Sequence, residues 1–204
     1  MSSLPFAQIA DFYDQRVQNY GYDPRACDYG RSESQYRKFS VLASATNYND
    51  LSVLDVGCGF ADYASFLMER YSAIDYHGID LSTAMIEKAR QLRTDLDLRV
   101  ANIFDLPESE TYDIVSANGI FYLLGHEAPE LMRRLVRKMF RHARRAVVFN
   151  SLSTWASVHE PREYYADPLE VMAWCRELSP WVSLRHDYLP HDFTIFVARQ
   201  PNLP

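Results

Sequence analysis

The sequence predicts an α/β domain: a mostly parallel, doubly wound sheet of seven strands, helices on both faces, and an antiparallel hairpin at the C-terminal end. Three observations predict it. Apolar β-like runs alternate with helical ones from Leu51 to Asn150, the order that gives a parallel sheet with right-handed crossovers. A glycine turn, Gly57-Cys58-Gly59, breaks the first run just before a helical one. The last two runs are separated only by Leu189–Asp192, too short for a parallel crossover and suited to a hairpin.

Taken in order, Leu4–Val17 and Glu33–Ala45 carry apolar residues at three- and four-residue spacing and read as helices. Gly21, Pro24 and Gly30 mark the stretch between them as an irregular loop. Leu51–Val56 is a strand, Asp62–Tyr71 a helix, Tyr76–Asp80 a strand and Ser82–Leu92 a helix. Strands follow at Leu98–Asn102 and Tyr112–Asn118, then an amphipathic helix at Pro129–Arg144 and a strand at Ala146–Asn150. The loop Ser151–Asp167 precedes a helix at Pro168–Leu178, and Val182–Tyr188 and Phe193–Arg199 form the hairpin. No repeat or linker interrupts the 204 residues. One domain is expected, with a helical cap over 1–50 and an α/β core over 51–204.

Composition narrows the function classes. The chain is 48% hydrophobic and 24% charged, a globular balance. Its formal net charge of −6 argues against broad nucleic-acid binding, which needs a basic surface. The one basic run, Arg133, Arg134, Arg137, Lys138, Arg141, Arg144 and Arg145, is expected to be a solvated helix face. Cys27, Cys58 and Cys175 form no CxxC pair, which points to a reducing compartment and away from a disulfide framework or zinc site. Neither a secretory signal nor an apolar run of about 18 residues is visible, so a cytoplasmic protein without a membrane span is expected.

The turn after the first strand of such a sheet is the usual ligand site. A dinucleotide fingerprint, G-x-G-x-x-G, would place its third glycine at position 62, where this chain has Asp62. A carboxylate there repels a pyrophosphate, and Asp55 ends the preceding strand in another acid. An adenosine ligand carrying positive charge suits the turn better.

"VLDVGCGFADYASFL" (Val53–Leu67) resembles the first motif of class I S-adenosylmethionine (SAM)-dependent methyltransferases. Asp55, Gly57, Gly59 and Leu67 match, and Ala61 stands where a third glycine is common. "HGIDLSTAMIEKAR" (His77–Arg90) resembles the second motif. Asp80 there lies about twenty residues past the turn, the distance at which a carboxylate meets ribose hydroxyls. Ser82 can cap the next helix. "VANIFDLP" (Val100–Pro107) resembles the third motif, with Asn102 in place of an acid; its carbonyl can still accept from an adenine amino group. "YDIVSANGIFYLL" (Tyr112–Leu124) resembles the fourth, ending near the transferable methyl at Asn118 and Gly119. The resemblance implies a Rossmann-like methyltransferase fold and a donor site of Asp55, Gly57, Cys58, Gly59, Asp80, Leu81, Met85, Asn102, Ile103 and Asn118, with Met85 packed on adenine.

Methyl transfer is an in-line displacement at a carbon already activated by sulfur, so the motifs name the donor and leave the acceptor open. Three stretches are candidate acceptor walls. "CDYGRSESQYRKF" (Cys27–Phe39) offers Tyr29, Arg31, Tyr36 and Arg37. It resembles an N-terminal segment of some small methyltransferases that closes over the methionine end of the donor; it equally fits a helix start with Ser32 as cap and Glu33 in the first turn. "NGIFYLLGHE" (Asn118–Glu127) offers Phe121, Tyr122 and His126, and the loop Phe149–Asp167 is polar and aromatic. His186 has the chemistry of a base, but a hairpin of this kind often faces away from the donor, so a structural role is expected. The acceptor is expected to be a small molecule or short peptide, reacting through O, N or S. Transfer of a carboxymethyl group from carboxy-SAM, with Arg31 and Tyr29 or Tyr36 gripping the extra carboxylate, stays open, as does a non-catalytic SAM-binding subunit.

Overall fold

The computed structural model describes residues 6–28 and 32–201. The N-terminal cap consists of α1 (Phe6–Tyr20), a 3-10 turn at Pro24–Cys27 and α2 (Ser32–Leu42). The core follows as β1 (Ser52–Val56), α3 (Asp62–Met68), β2 (Asp75–Asp80), α4 (Thr83–Leu92), β3 (Asp97–Val100) and β4 (Tyr112–Ala117). It continues with α5 (Ala128–His142), β5 (Ala143–Leu152), α6 (Pro168–Cys175), β6 (Trp181–Leu189) and β7 (Asp192–Ala198). The seven strands form one sheet in the order β3-β2-β1-β4-β5-β7-β6. The first five are parallel, and β7 runs antiparallel to both β5 and β6.

Both faces of the central strands are covered, which is why those strands are apolar at successive positions instead of alternating with polar ones. Val53, Ile114 and Val148 join the cluster that packs on α2, α3 and α4. Their neighbours Leu54, Val115 and Val147 join the cluster that packs on α5 and α6. Along α5, Leu131, Met132, Leu135, Val136 and Met139 are buried, the three- and four-residue stripe of a core-facing helix.

Several boundaries differ from the sequence expectation, among them the ends of α2 at Leu42 and α3 at Met68, each three residues early. Strand β3 stops at Val100, because the Asn102 side chain accepts from Phe104 N (3.1 Å) and opens a 3-10 turn at Ile103–Asp105. Strand β5 begins at Ala143, so Arg144 and Arg145 lie on the sheet and not on the basic helix. Arg144 donates to Thr111 O (2.6 Å) and Asp113 Oδ2 (2.9 Å), anchoring that strand end. Helix α6 ends at Cys175, three residues before Leu178. The remaining basic side chains are largely partnered: Arg133 and Arg137 both meet Glu177, and Arg141 meets Glu108. Among the described residues, no helix is long and apolar enough to cross a membrane.

Candidate donor and acceptor site

A cavity of about 210 Å³ opens at the carboxyl ends of β1, β2, β4 and β5, under α1. That is the point where the strand order reverses between β1 and β4, the usual ligand crevice of an open α/β sheet.

The glycine turn builds one half. Gly57 and Gly59 adopt φ of +74° and +54°, a region glycine enters without steric penalty. Gly57 and Cys58 N both donate to Ile79 O (2.8 and 3.0 Å), pinning the turn to the end of β2. The Asp80 carboxylate locks it from the other side, accepting from Gly59 N and from Ser82 N at 2.9 Å each. Burial pushes the Asp80 carboxyl up from its ordinary value, against the opposing pull of the Ser82, Gly59 and Leu81 N–H groups. Met85, Ala101, Asn102 and Ile103 line the wall beyond it. Beneath the turn, Asp55 is buried and accepts from Tyr76 Oη (2.6 Å) and Ser116 Oγ (3.1 Å). Burial raises its carboxyl to about 7.

The cap roofs this half. Asp14 of α1 accepts from Ser82 Oγ (2.5 Å) and Ala84 N (3.0 Å) at the start of α4, while Ser82 Oγ caps that helix through Met85 N (3.0 Å). Phe6, Ile9 and Tyr13 of α1 face the cavity. Tyr13 Oη meets Tyr122 Oη at 2.7 Å, Tyr122 donates to Asp28 Oδ2 at 3.0 Å, and Arg16 holds the other oxygen of Asp28 at 2.7 Å. This chain stitches the roof to the loop after β4.

The other half lies over β5 and β7. Gly119 N donates to Asn150 Oδ1 (2.8 Å), and Asn150 Nδ2 donates to Asp192 Oδ1 (2.9 Å). Lys38 of α2 pairs with Asp192 Oδ2 at 2.7 Å, both groups buried. Gln35, Ser151 and Glu163 complete the polar lining.

Every residue expected to hold the donor lies on this cavity: Asp55, Gly57, Cys58, Gly59, Asp80, Leu81, Met85, Asn102, Ile103 and Asn118. The Asn102 carbonyl is already engaged in its turn. Of the residues expected to meet the acceptor, Tyr122 lines the cavity, whereas Tyr36 and Arg37 point off it. Tyr36 packs edge-on to Phe66 at 5.0 Å and accepts from Arg70, and Arg37 pairs with Glu33 on the surface at 2.8 Å. Their helix neighbours Gln35, Lys38 and Phe39 take the inward positions. Tyr29, Arg31 and the Ser32 side chain lie outside the described residues. His126 is exposed. His186 bonds Ser153 Oγ (2.8 Å) beside Trp155, away from the cavity lining.

Sequence reasoning passed over Tyr13, Gln35, Lys38, Ser151, Glu163 and Asp192 as site residues. Asp192 sat in a stretch read as hairpin, and the register Leu152↔Asp192 is what brings it to the strand end.

The chemistry of the lining is specific. No histidine lines the cavity among the described residues. Burial raises the Tyr13 and Tyr122 hydroxyls and the Cys58 thiol well above their ordinary values, and the Cys27 thiol to about 12. Near the glycine turn, Arg93 pairs with Asp62 at 2.6 Å, which offsets the charge of that carboxylate and leaves Asp80 as the acid on this wall of the cavity. Fold and site together define an α/β domain that binds a cationic adenosine compound.

Comparison with known proteins agrees. A family model described as a methyltransferase domain matches residues 53–146. A Mycobacterium tuberculosis protein, Rv1506c, named as a methyltransferase, is 31% identical over 158 residues, spanning 72% of this chain and 93% of its own. The malonyl-[acyl-carrier protein] O-methyltransferase of Anoxybacillus flavithermus is 23% identical over 195 residues, 90% of this chain and 74% of its own. The crystal structure of magnesium protoporphyrin IX methyltransferase from Synechocystis PCC 6803 with bound SAM superposes with a TM-score of 0.71 at 14% identity, covering 98% of this chain and 100% of that one. The chain belongs to the class I SAM-dependent methyltransferases.

Proposed function

We propose that the protein transfers a methyl group from SAM to a small acceptor that sits beneath α1 on the β5–β7 side of the cavity. The observation that carries this reading is the Asp80 carboxylate, fixed at the end of β2 by two backbone N–H groups and facing the cavity, where it takes the ribose hydroxyls. Ile120 stands so close to Gly57 that a Cβ there would meet its Cγ2 at 2.4 Å; bare backbone is what lets a ligand lie along the turn. Met85 and Ile103 flank the adenine, and Asn118 and Gly119 stand at the methyl-bearing end. Bound SAM supplies a methyl group already activated by its sulfonium. The Asp80 carboxylate favours that cation, and the Tyr13–Tyr122–Asp28 chain excludes water from above. Among the relatives, the Anoxybacillus enzyme is named for transfer to oxygen, which supports an oxygen acceptor here.

Titration calorimetry with SAM tests the donor site. Asp80→Ala removes the acceptor for two ribose hydroxyls and is expected to weaken SAM binding by about a hundredfold, each hydrogen bond to a charged group being worth roughly 1.5–3 kcal/mol. The circular dichroism spectrum should stay native. Unchanged affinity refutes the ribose role. A parallel thermal-shift series with SAM, S-adenosylhomocysteine and carboxy-SAM identifies the donor; stabilisation by carboxy-SAM alone replaces methyl by carboxymethyl transfer.

A further inference from the structure

The loop that follows β4 is held from behind, by a side chain that never reaches the cavity. Gly119 takes φ of +71°, a conformation that a glycine leaves at little cost, so its placement needs an outside hold. That hold is Asn150 of β5, whose Oδ1 accepts from Gly119 N at 2.8 Å. Asn150 is fully buried and is not among the residues lining the cavity, whereas Gly119 lines it. Asn150 therefore acts on anything bound there only through the backbone it holds.

A second set of contacts orients Asn150. Its Nδ2 donates to Asp192 Oδ1 at 2.9 Å, and Tyr188 Oη donates to the same oxygen at 2.5 Å. Asp192 Oδ2 pairs with Lys38 Nζ of α2 at 2.7 Å, the two side chains being 1% and 8% exposed. A backbone N–H can only donate and an ionised carboxylate can only accept. The two ends of the Asn150 amide are thereby told apart: its oxygen faces Gly119 and its nitrogen faces Asp192. Reversing the amide would set N–H against N–H at one end and oxygen against oxygen at the other. Well-packed apolar residues often match a buried ion pair in stability. Stability alone does not call for Lys38 and Asp192; orienting the amide does.

We propose that Asn150 is a positioning residue for methyl transfer, oriented by the Lys38–Asp192 pair, and that it holds Gly119 where the methyl-bearing end of the donor lies. This role rests on the donor placement proposed above. In-line displacement tolerates little error, and a misplacement of about 1 Å costs on the order of a hundredfold in rate. The same contacts tie the cap to the reacting end of the site, since α2 reaches Gly119 through Lys38, Asp192 and Asn150 in succession. They share no residue with the Tyr13–Tyr122–Asp28 chain that ties down α1. Each cap helix thus has its own line to the loop after β4.

Calorimetry of the wild type with SAM comes first, because absence of binding sinks the donor placement and this role with it. SAM labelled with carbon-13 at its methyl group is then followed by NMR in the complex. Its methyl resonance reports one end of the donor and its adenine protons the other, which separates a local displacement from a general one. Asn150→Leu keeps the volume and removes the amide. It should weaken SAM roughly tenfold and move the bound methyl resonance, with the adenine protons left in place. A ligand-free measurement covers the case in which this variant fails to fold. In the wild type the Gly119 N–H should be protected from exchange with deuterium, and Asp192→Asn should speed its exchange, because the Asn150 amide is then no longer held one way round. The proposal is overturned by an Asn150→Leu protein with unchanged affinity and methyl resonance, or by adenine protons that move as much as the methyl. A Gly119 N–H that is unprotected, or indifferent to Asp192→Asn, overturns it equally.

Discussion

At the scale of single residues, Gly57 satisfies two constraints at once. Its φ of +74° is left-handed, and an added Cβ would lie 2.4 Å from Ile120 Cγ2. Gly57→Ala therefore forces either the turn or Ile120 to shift. We expect a stability loss of about 1–3 kcal/mol in urea unfolding and at least tenfold weaker SAM binding in calorimetry, because the shift occurs where the donor lies. Equal affinity would show that the turn can move without touching the donor site. The turn itself was legible, since strand, glycines and helix follow one another directly. Ile120 was not, because it arrives from the loop after β4, and only the pairing of β1 with β4 brings the two together. Ala61 shows a milder form of the same limit. It takes φ +59° at the start of α3, the left-handed region that favours glycine, at a cost of roughly 1 kcal/mol. Its small size could be read from the sequence, and its backbone could not.

At the scale of elements, the cap is the part the sequence resolved least. Periodicity marked α1 and α2 as amphipathic, but a period says only that a helix has two faces. On α2 the stretch from Gln35 to Phe39 covers more than one turn, so it contains residues of both faces. Tyr36 and Arg37 drew notice by their chemistry. The inward face belongs to Gln35, Lys38 and Phe39, and only packing against β5 and the strands beyond it decides that. Helix α1 has no fully buried residue and depends on a few polar ties, chiefly Asp14 to Ser82 and Ala84. Asp14→Ala removes a side chain that serves the start of α4 as a second cap. It should cost about 1 kcal/mol, spent almost entirely on undocking α1. Limited proteolysis should then cut within residues 6–28 faster than in the wild type, with saturating SAM restoring protection. Affinity for SAM should fall roughly threefold to tenfold. Wild-type proteolysis rates would mean that the apolar contacts of Phe6 and Ile9 hold the roof unaided.

At the scale of the whole molecule, strand order divides the cavity: β1 and β2 border one half, β5 and β7 the other. The alternation of strands and helices made the parallel sheet legible, and the four-residue gap at Leu189–Asp192 made the hairpin legible. The insertion of β7 between β5 and β6 gives no local sign, yet it is what brings Asp192 opposite Leu152 and within reach of Asn150. Asp55 joins three central strands, with Tyr76 on β2 and Ser116 on β4 as its donors, so its protonation reports on global unfolding. Burial raises its carboxyl to about 7, whereas an unfolded aspartate titrates near 4. Between those values the native chain holds a proton that the unfolded chain has released. Stability therefore falls as pH rises through this window, by up to about 1.4 kcal/mol per pH unit, and levels off above it. The carboxyls that ion pairs or hydrogen bonds hold low, Glu110 and Asp113 among them, act in the opposite sense and contribute stability that is lost as pH falls. Asp55→Asn keeps an oxygen for Tyr76 and carries no charge, so in urea unfolding this variant should lose less stability than the wild type between about pH 5 and about pH 8, with the remaining fall coming from Asp80, whose carboxyl burial also raises. The wild type should be measurably weaker at the higher pH; parallel slopes in the two proteins would show that Asp55 is already ionised in the folded state.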